Sequence, residues 1–196
     1  MINFTKIKFD QPGFTLAEML VTVGIFAITM AISSSIFINV NNLQQQTASM
    51  AKLQNEGRYV MEKMSKEIRG RELDYDAMAA DLNVTTGVTK KLVFKTDEFG
   101  DAYEIYFDTD RIKVKISNVS EVKIADLTAF EIIVDNLEFI VSPAQDPYEA
   151  FSLIPSAPIF EQPRVTIMLV IKNRNVPEKY KRTLLLQTTI SSKVYR

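Results

Sequence analysis

The chain contains no cysteine and no histidine. Without cysteine there are no disulfides and no thiolate metal site; without histidine the commonest general base and zinc ligand is missing. The redox compartment stays open, because a cysteine-free chain folds on either side of a membrane. Charge of one sign is also lacking. The formal net charge is −1 over 196 residues, so no overall positive field draws in nucleic acid. Proline is absent between Gly13 and Pro143, and between Phe14 and Arg69 the only glycines are Gly24 and Gly57. From Met19 to Ala51 no residue is charged at all.

These absences overlap in one place. A charge-free, proline-free run longer than the roughly 20 residues needed to cross a hydrocarbon core reads as a membrane helix. The chain beyond it is charged, and its length suits one ordinary domain plus an extension. A protein with a single N-terminal anchor and a water-facing body is therefore expected. Lys6 and Lys8 precede the run, whereas the first basic residue after it is Lys52. The positive-inside rule then places residues 1–13 in the cytoplasm and the body outside. A cleaved secretory signal would have a shorter apolar core and a small-x-small site after it. The actual end of the run, "SSSIFINVNNLQQQ", has no such site. A plain signal anchor accounts for length and flanks, but not for an acid, Glu18, just inside the run.

A carboxylate in hydrocarbon is costly and is normally paired, unless it lies near enough to the boundary to snorkel. The residues around Glu18 carry a resemblance that chooses between these. "GFTLAEMLV" resembles the N-terminal signature of the type IV pilins and of the pseudopilins of type II secretion. Gly13, Phe14, Thr15, Leu16, Ala17 and Glu18 match that signature position by position. The resemblance implies that a membrane-embedded prepilin peptidase cuts between Gly13 and Phe14 and that the new amino group of Phe14 is N-methylated. It further implies that Glu18 pairs with the amino group of a neighbouring subunit during assembly on an inner-membrane platform. Other pilin or pseudopilin subunits are the partners it implies, first in the cytoplasmic (inner) membrane and then in a periplasmic or cell-surface fibre.

The run reads as one helix from about Phe14 to Arg69, about 80 Å long. Residues 14–43 form its membrane or fibre-core part and residues 44–70 an amphipathic continuation. In the continuation Met50, Leu53, Gly57, Val60, Met64 and Glu67 or Ile68 recur at spacings of three and four. This stripe is expected to dock on the protein's own sheet, since a dimeric coiled coil needs a longer and stricter repeat. Gly57 would permit close approach, Glu62–Lys66 would pair at i,i+4, and Gly70 would cap the C-terminus.

Residues 71–196 read as an antiparallel β domain. "KKLVFKT", "AYEIYFDTDRIKVKIS", "FEIIVDNLEFIVS", "RVTIMLVIKN" and "TLLLQTTISSKV" have strand composition and alternation. The second folds back at Thr109-Asp110, with Ile112, Val114 and Ile116 on one face and Arg111, Lys113 and Lys115 on the other. Residues 142–164 hold five prolines, Pro143, Pro147, Pro155, Pro158 and Pro163, and read as a long irregular loop. The fold class is α+β: a long N-terminal helix packed on an antiparallel β-sheet domain, which is also the pilin architecture. "EGRYVMEKMSKEIRG" resembles the second helical stretch of larger minor subunits, the J-type pseudopilins and W-type minor pilins. That likeness implies a subunit that primes or caps a fibre.

Catalytic signatures are weak. Ser49–Lys52 and Ser120–Lys123 match Ser-x-x-Lys, but "SDN" and "KTG" are missing. Asp97, Glu98 and Asp101 in "TDEFGD" are hard oxygen donors without EF-hand spacing. The ordinary reading there is an acidic turn. No catalytic residue, metal or cofactor is expected. The functional class that competes with a fibre subunit is a single-span anchored binding or sensor domain that never assembles.

Overall fold

The computed structural model describes residues 13–97, 100–118, 120–147 and 162–192. Helix α1 spans Leu16–Gly70. The chain divides into two compact units, residues 1–45 and 46–196. The first contains the opening part of α1; the second contains the rest of α1 and all the strands.

In the first unit the large apolar side chains are exposed on every side of the helix, among them Leu20, Ile25, Phe26, Ile32 and Phe37. Polar groups in this run are hidden locally. Thr22 Oγ1 donates to Met19 O at 2.9 Å, Thr29 Oγ1 to Phe26 O at 2.9 Å and Ser34 Oγ to Met30 O at 2.8 Å. Each hydroxyl is thus satisfied by the carbonyl three or four residues back, so the surface offered outward is apolar. By length and composition the helix can cross a membrane.

The second unit has a conventional core. On α1 it buries Leu53, Gly57, Val60, Met64 and Ile68, the stripe expected from the spacing, with Met50 only half-buried at its start. Behind α1 a short helix α2, Tyr75–Met78, is capped by the Asp74 carboxylate, which accepts from Ala77 N at 2.9 Å. Eight strands follow among the described residues. They are β1 (Val88–Thr89), β2 (Lys91–Phe94), β3 (Ala102–Asp108), β4 (Arg111–Ser117), β5 (Val122–Asp126), β6 (Ile132–Ser142), β7 (Arg164–Asn173) and β8 (Thr183–Ser191).

The antiparallel β domain expected from the sequence is present, and its strands divide between two four-stranded sheets. One has the order β1-β6-β7-β8 and the other β2-β3-β4-β5. Val134 N donates to Asp110 O at 2.8 Å, tying β6 to the β3–β4 turn. That turn has Thr109 at φ 56°. The short strands β1 and β5 and helix α2 lack the long alternating runs that mark the other elements.

Strand β6 shows how the core face is kept. Its buried residues are Ile132 and Val134, then Leu137, Phe139 and Val141. The parity changes because the register with β7 shifts between Val134 and Asn136. A one-residue slip would otherwise turn the second half of the strand outward; the bulge absorbs it.

Gly57 faces β7 and β8. A Cβ there would lie 2.4 Å from Leu186 Cδ1 and 3.1 Å from Ile171 Cδ1. The lack of a side chain sets how closely this helix meets this sheet. Hydrogen bonds tether the same stretch of helix near both ends of β8. Ser49 Oγ donates to Tyr180 O at 3.2 Å, and Ser192 Oγ donates to Arg71 O at 3.0 Å.

Two local expectations need correction. The helix stops at Gly70, but Gly70 is not among the glycines of positive φ, which are Gly87 and Gly100. It is therefore not a left-handed cap. The i,i+4 ion pair near this end joins Glu67 and Arg71 at 3.0 Å; Glu62–Lys66 is not among the ion pairs of the described residues. The charged face of the β3–β4 hairpin is a paired lattice. Lys113 meets Asp108 at 2.5 Å, Lys115 meets Glu104 at 3.2 Å, and Arg111 meets Asp126. Most of the expected proline-rich loop, residues 148–161, lies outside the described residues.

Candidate functional site

The candidate site is the entry to α1. Gly13, Phe14 and Thr15 precede the first helical residue, Leu16. Phe14 is 76% exposed, so the expected cleavage junction stands clear of the chain's own packing. Gly13 is informative for what its fold does not require. It has no positive φ, and a Cβ built on it would meet nothing within 4 Å. Nothing among the described residues demands glycine at position 13.

Thr15 and Glu18 form a reciprocal capping box. The Glu18 Oε2 atom accepts from Thr15 N and from Thr15 Oγ1, both at 2.9 Å. Thr15 Oγ1 accepts from Glu18 N at 3.3 Å. Two N–H groups that helix geometry leaves without partners are satisfied by side chains, and a carboxylate in the first turn also complements the helix dipole. This role was legible as Thr-x-x-Glu before an apolar run, yet it does not follow from the pilin resemblance. Within one chain, then, Glu18 has a local partner. Its other oxygen, Oε1, takes no partner among the described residues.

Among the described residues the other motifs make local structural contacts. Ser49 Oγ, besides its bond to Tyr180 O, is met by Asn173 Nδ2, and Lys52 pairs with Glu131. Ser49 fastens the helix to the β7–β8 connection, and the lysine of its motif is engaged elsewhere. Lys123 pairs with Glu121 at 3.2 Å. In the acidic turn, Asp97 Oδ1 accepts from Asp101 N at 2.9 Å and Asp97 Oδ2 lies 3.7 Å from Arg71 Nη1. Glu98 lies outside the described residues. Among the described residues no group of three acidic, histidine or cysteine side chains could hold a metal ion.

With this geometry in place, the comparisons bear on one segment. Residues 8–34 match the prokaryotic N-terminal methylation motif. That motif supports a protein of the type IV pilin and pseudopilin kind: a structural subunit, processed by prepilin peptidase, anchored through its apolar helix and assembled with other pilins. No curated protein and no solved structure matches the chain.

Proposed function

We propose that the chain is a minor pilin or pseudopilin subunit, made as a prepilin and incorporated into a type IV pilus-like fibre or a type II secretion pseudopilus. Prepilin peptidase cuts between Gly13 and Phe14, and Phe14 becomes the N-methylated terminus. The leader stays in the cytoplasm, and the body stands outside the inner membrane. Glu18 then exchanges its capping contact with Thr15 for the terminal ammonium of a neighbouring subunit, which fixes axial register between apolar helices. The observation that carries this reading is the match over residues 8–34, which includes a glycine that nothing among the described residues requires. A role in priming or capping the fibre is favoured by the likeness of "EGRYVMEKMSKEIRG" to larger minor subunits.

The test is mass spectrometry of the mature N-terminus. N-methyl-Phe14 is expected, and its loss is expected in cells lacking the peptidase. An intact Met1 there would sink the reading in favour of an anchored binding or sensor domain. The capping box supplies a control for Glu18. Thr15→Ala removes the hydroxyl's half of the box but leaves the carboxylate, so incorporation should persist; Glu18→Ala removes the carboxylate but leaves the residue-18 N–H bonded to Thr15 Oγ1, so incorporation should fail. Normal incorporation of the Glu18→Ala subunit would refute the pairing role.

A further inference from the structure

Each sheet has two edges, and three of the four are blunted. Strand β1 is two residues long, and Val141 N donates to the carbonyl of the preceding Gly87 at 2.8 Å. Strand β2 is covered by the chain before α2, through a Leu73–Phe94 bridge and Asp74 N donating to Val93 O at 3.0 Å. Strand β5 is short and carries Lys123 and Asp126. Strand β8 is the exception: nine residues, "TLLLQTTIS", without a charge or a proline. It pairs with β7 on one side, and no strand among the described residues pairs with its other side. Charges, prolines, shortness and covering are the ordinary protections of a sheet edge, and among the described residues β8 has none of them.

The outer edge of β8 opens into a groove of about 530 Å³, with Arg58, Met61, Glu62 and Ser65 of α1 on one wall and Leu184 and Leu186 of β8 on the other. The tethers near both ends of β8 hold the walls in place. Leu184 and Leu186 are half-buried, so the floor is apolar. Arg58 and Glu62 are exposed and make no ion pair among the described residues. One helical turn apart, they are separated by about 6 Å along the helix axis. Alternate residues of a strand repeat at about 6.6 Å on one face. An acid and a base at i and i+2 of an extended chain therefore match the groove's cation and carboxylate, with their stems over Met61.

We propose that β8 and α1 form a docking groove for an extended segment of a partner protein, which adds to the sheet as a fifth strand. Main-chain hydrogen bonds to β8 hold the segment. Its inward side chains are apolar, with one acid and one base two residues apart facing Arg58 and Glu62. This goes beyond the fibre reading and does not depend on it, since the groove lies wholly in the second unit.

The test uses the full chain in detergent micelles and two fluorescein-labelled octapeptides, TVTETKTV and TVTKTETV, read by anisotropy. Both should bind, one preferred by about threefold, the scale of an exposed charge pair. The double charge swap Arg58→Glu with Glu62→Arg should invert that preference. N-methylation of one alternating set of peptide amides should weaken binding at least about tenfold, while the other set, pointing away from β8, should be tolerated. Failure of both peptides to bind, or equal binding of both N-methylated sets and the unmodified peptide, overturns the proposal. So does self-association of the chain that the peptide cannot displace, which would assign the edge to a second copy.

Discussion

The two parts of α1 belong to one unbroken helix but solve opposite problems. From Leu16 to Gln45 the large apolar side chains point outward in every direction, and hydroxyls are returned to the helix backbone. From Gln46 to Gly70 five residues are buried on a single stripe, and most of the remaining surface is polar, with Tyr59 exposed among it. The first part is built for an apolar surrounding that other molecules supply. The second carries its apolar surrounding with it, as two sheets. They differ in hydrophobic content, since the first part carries no charge after Glu18 and the second carries many, and also in the angular distribution of that content around the helix.

The sharpest way to break this contrast is to truncate one apolar side chain in each part. Met64 is fully buried, so Met64→Ala should destabilise the body by about 2–5 kcal/mol. Phe26 is 61% exposed, so Phe26→Ala should leave the body's denaturant midpoint unchanged. Equal effects in urea titrations would erase the distinction. A second pair uses the glycines. Gly57→Leu must push into Leu186 and Ile171 and should cost about 1–3 kcal/mol by overpacking. A Cβ added at Gly24 would meet nothing within 4 Å, so Gly24→Leu should be neutral to body stability in the same titration.

The third comparison concerns the helix start. Thr15→Ala should weaken the first turn by about 1 kcal/mol, seen as faster amide exchange at Glu18 with no change in the body's melting. If exchange at Glu18 is unaffected, the capping box does not hold the helix entry. The smallest effect is a dependence on pH confined to the body. Asp108 is held below the ordinary carboxyl range by its hydrogen bond from Lys113, then by Thr109, and Lys113 is raised by the bond to Asp108. The depressed Asp108 contributes stability above its unfolded value of 3.8 that is lost as pH falls through the folded one. The raised Lys113 contributes stability below its unfolded value of 10.5 that is lost as pH rises through the folded one. Between these limits the contribution is flat, and because the pair is exposed it is small. Lys113→Gln should therefore flatten the acid limb slightly in melts below pH 4, and an unchanged limb would remove the pair from the account.

Much of the candidate site was legible early because it is local. Gly13, Phe14 and Glu18 are read at fixed offsets along a few residues, and the buried stripe Leu53, Gly57, Val60, Met64 and Ile68 follows from helical spacing. The capping box is equally local, and its Thr-x-x-Glu pattern carried the signal, but it was not among the expectations. The β6 bulge was not legible, because "IIVDNLEFIVS" has no alternation break that names its position without the partner strand β7. Nor were β1 and β5, which are too short to signal themselves and exist through pairing with β6 and β4. Expecting Gly70 as a left-handed cap failed because a glycine permits that conformation without enforcing it.

Sequence by itself settled the anchor, the helix and the entry motif, since each depends on contacts within a turn or two and on the solvent a run of side chains demands. Tertiary structure decided how strands of similar composition divide into two sheets, which edges are blunted and which one has no further strand partner among the described residues. Those outcomes depend on pairings between residues up to a hundred or more positions apart, such as Ser49 with Tyr180 and Arg71 with Ser192. No local pattern encodes them, because the free energy that selects them is released only when the distant surfaces meet.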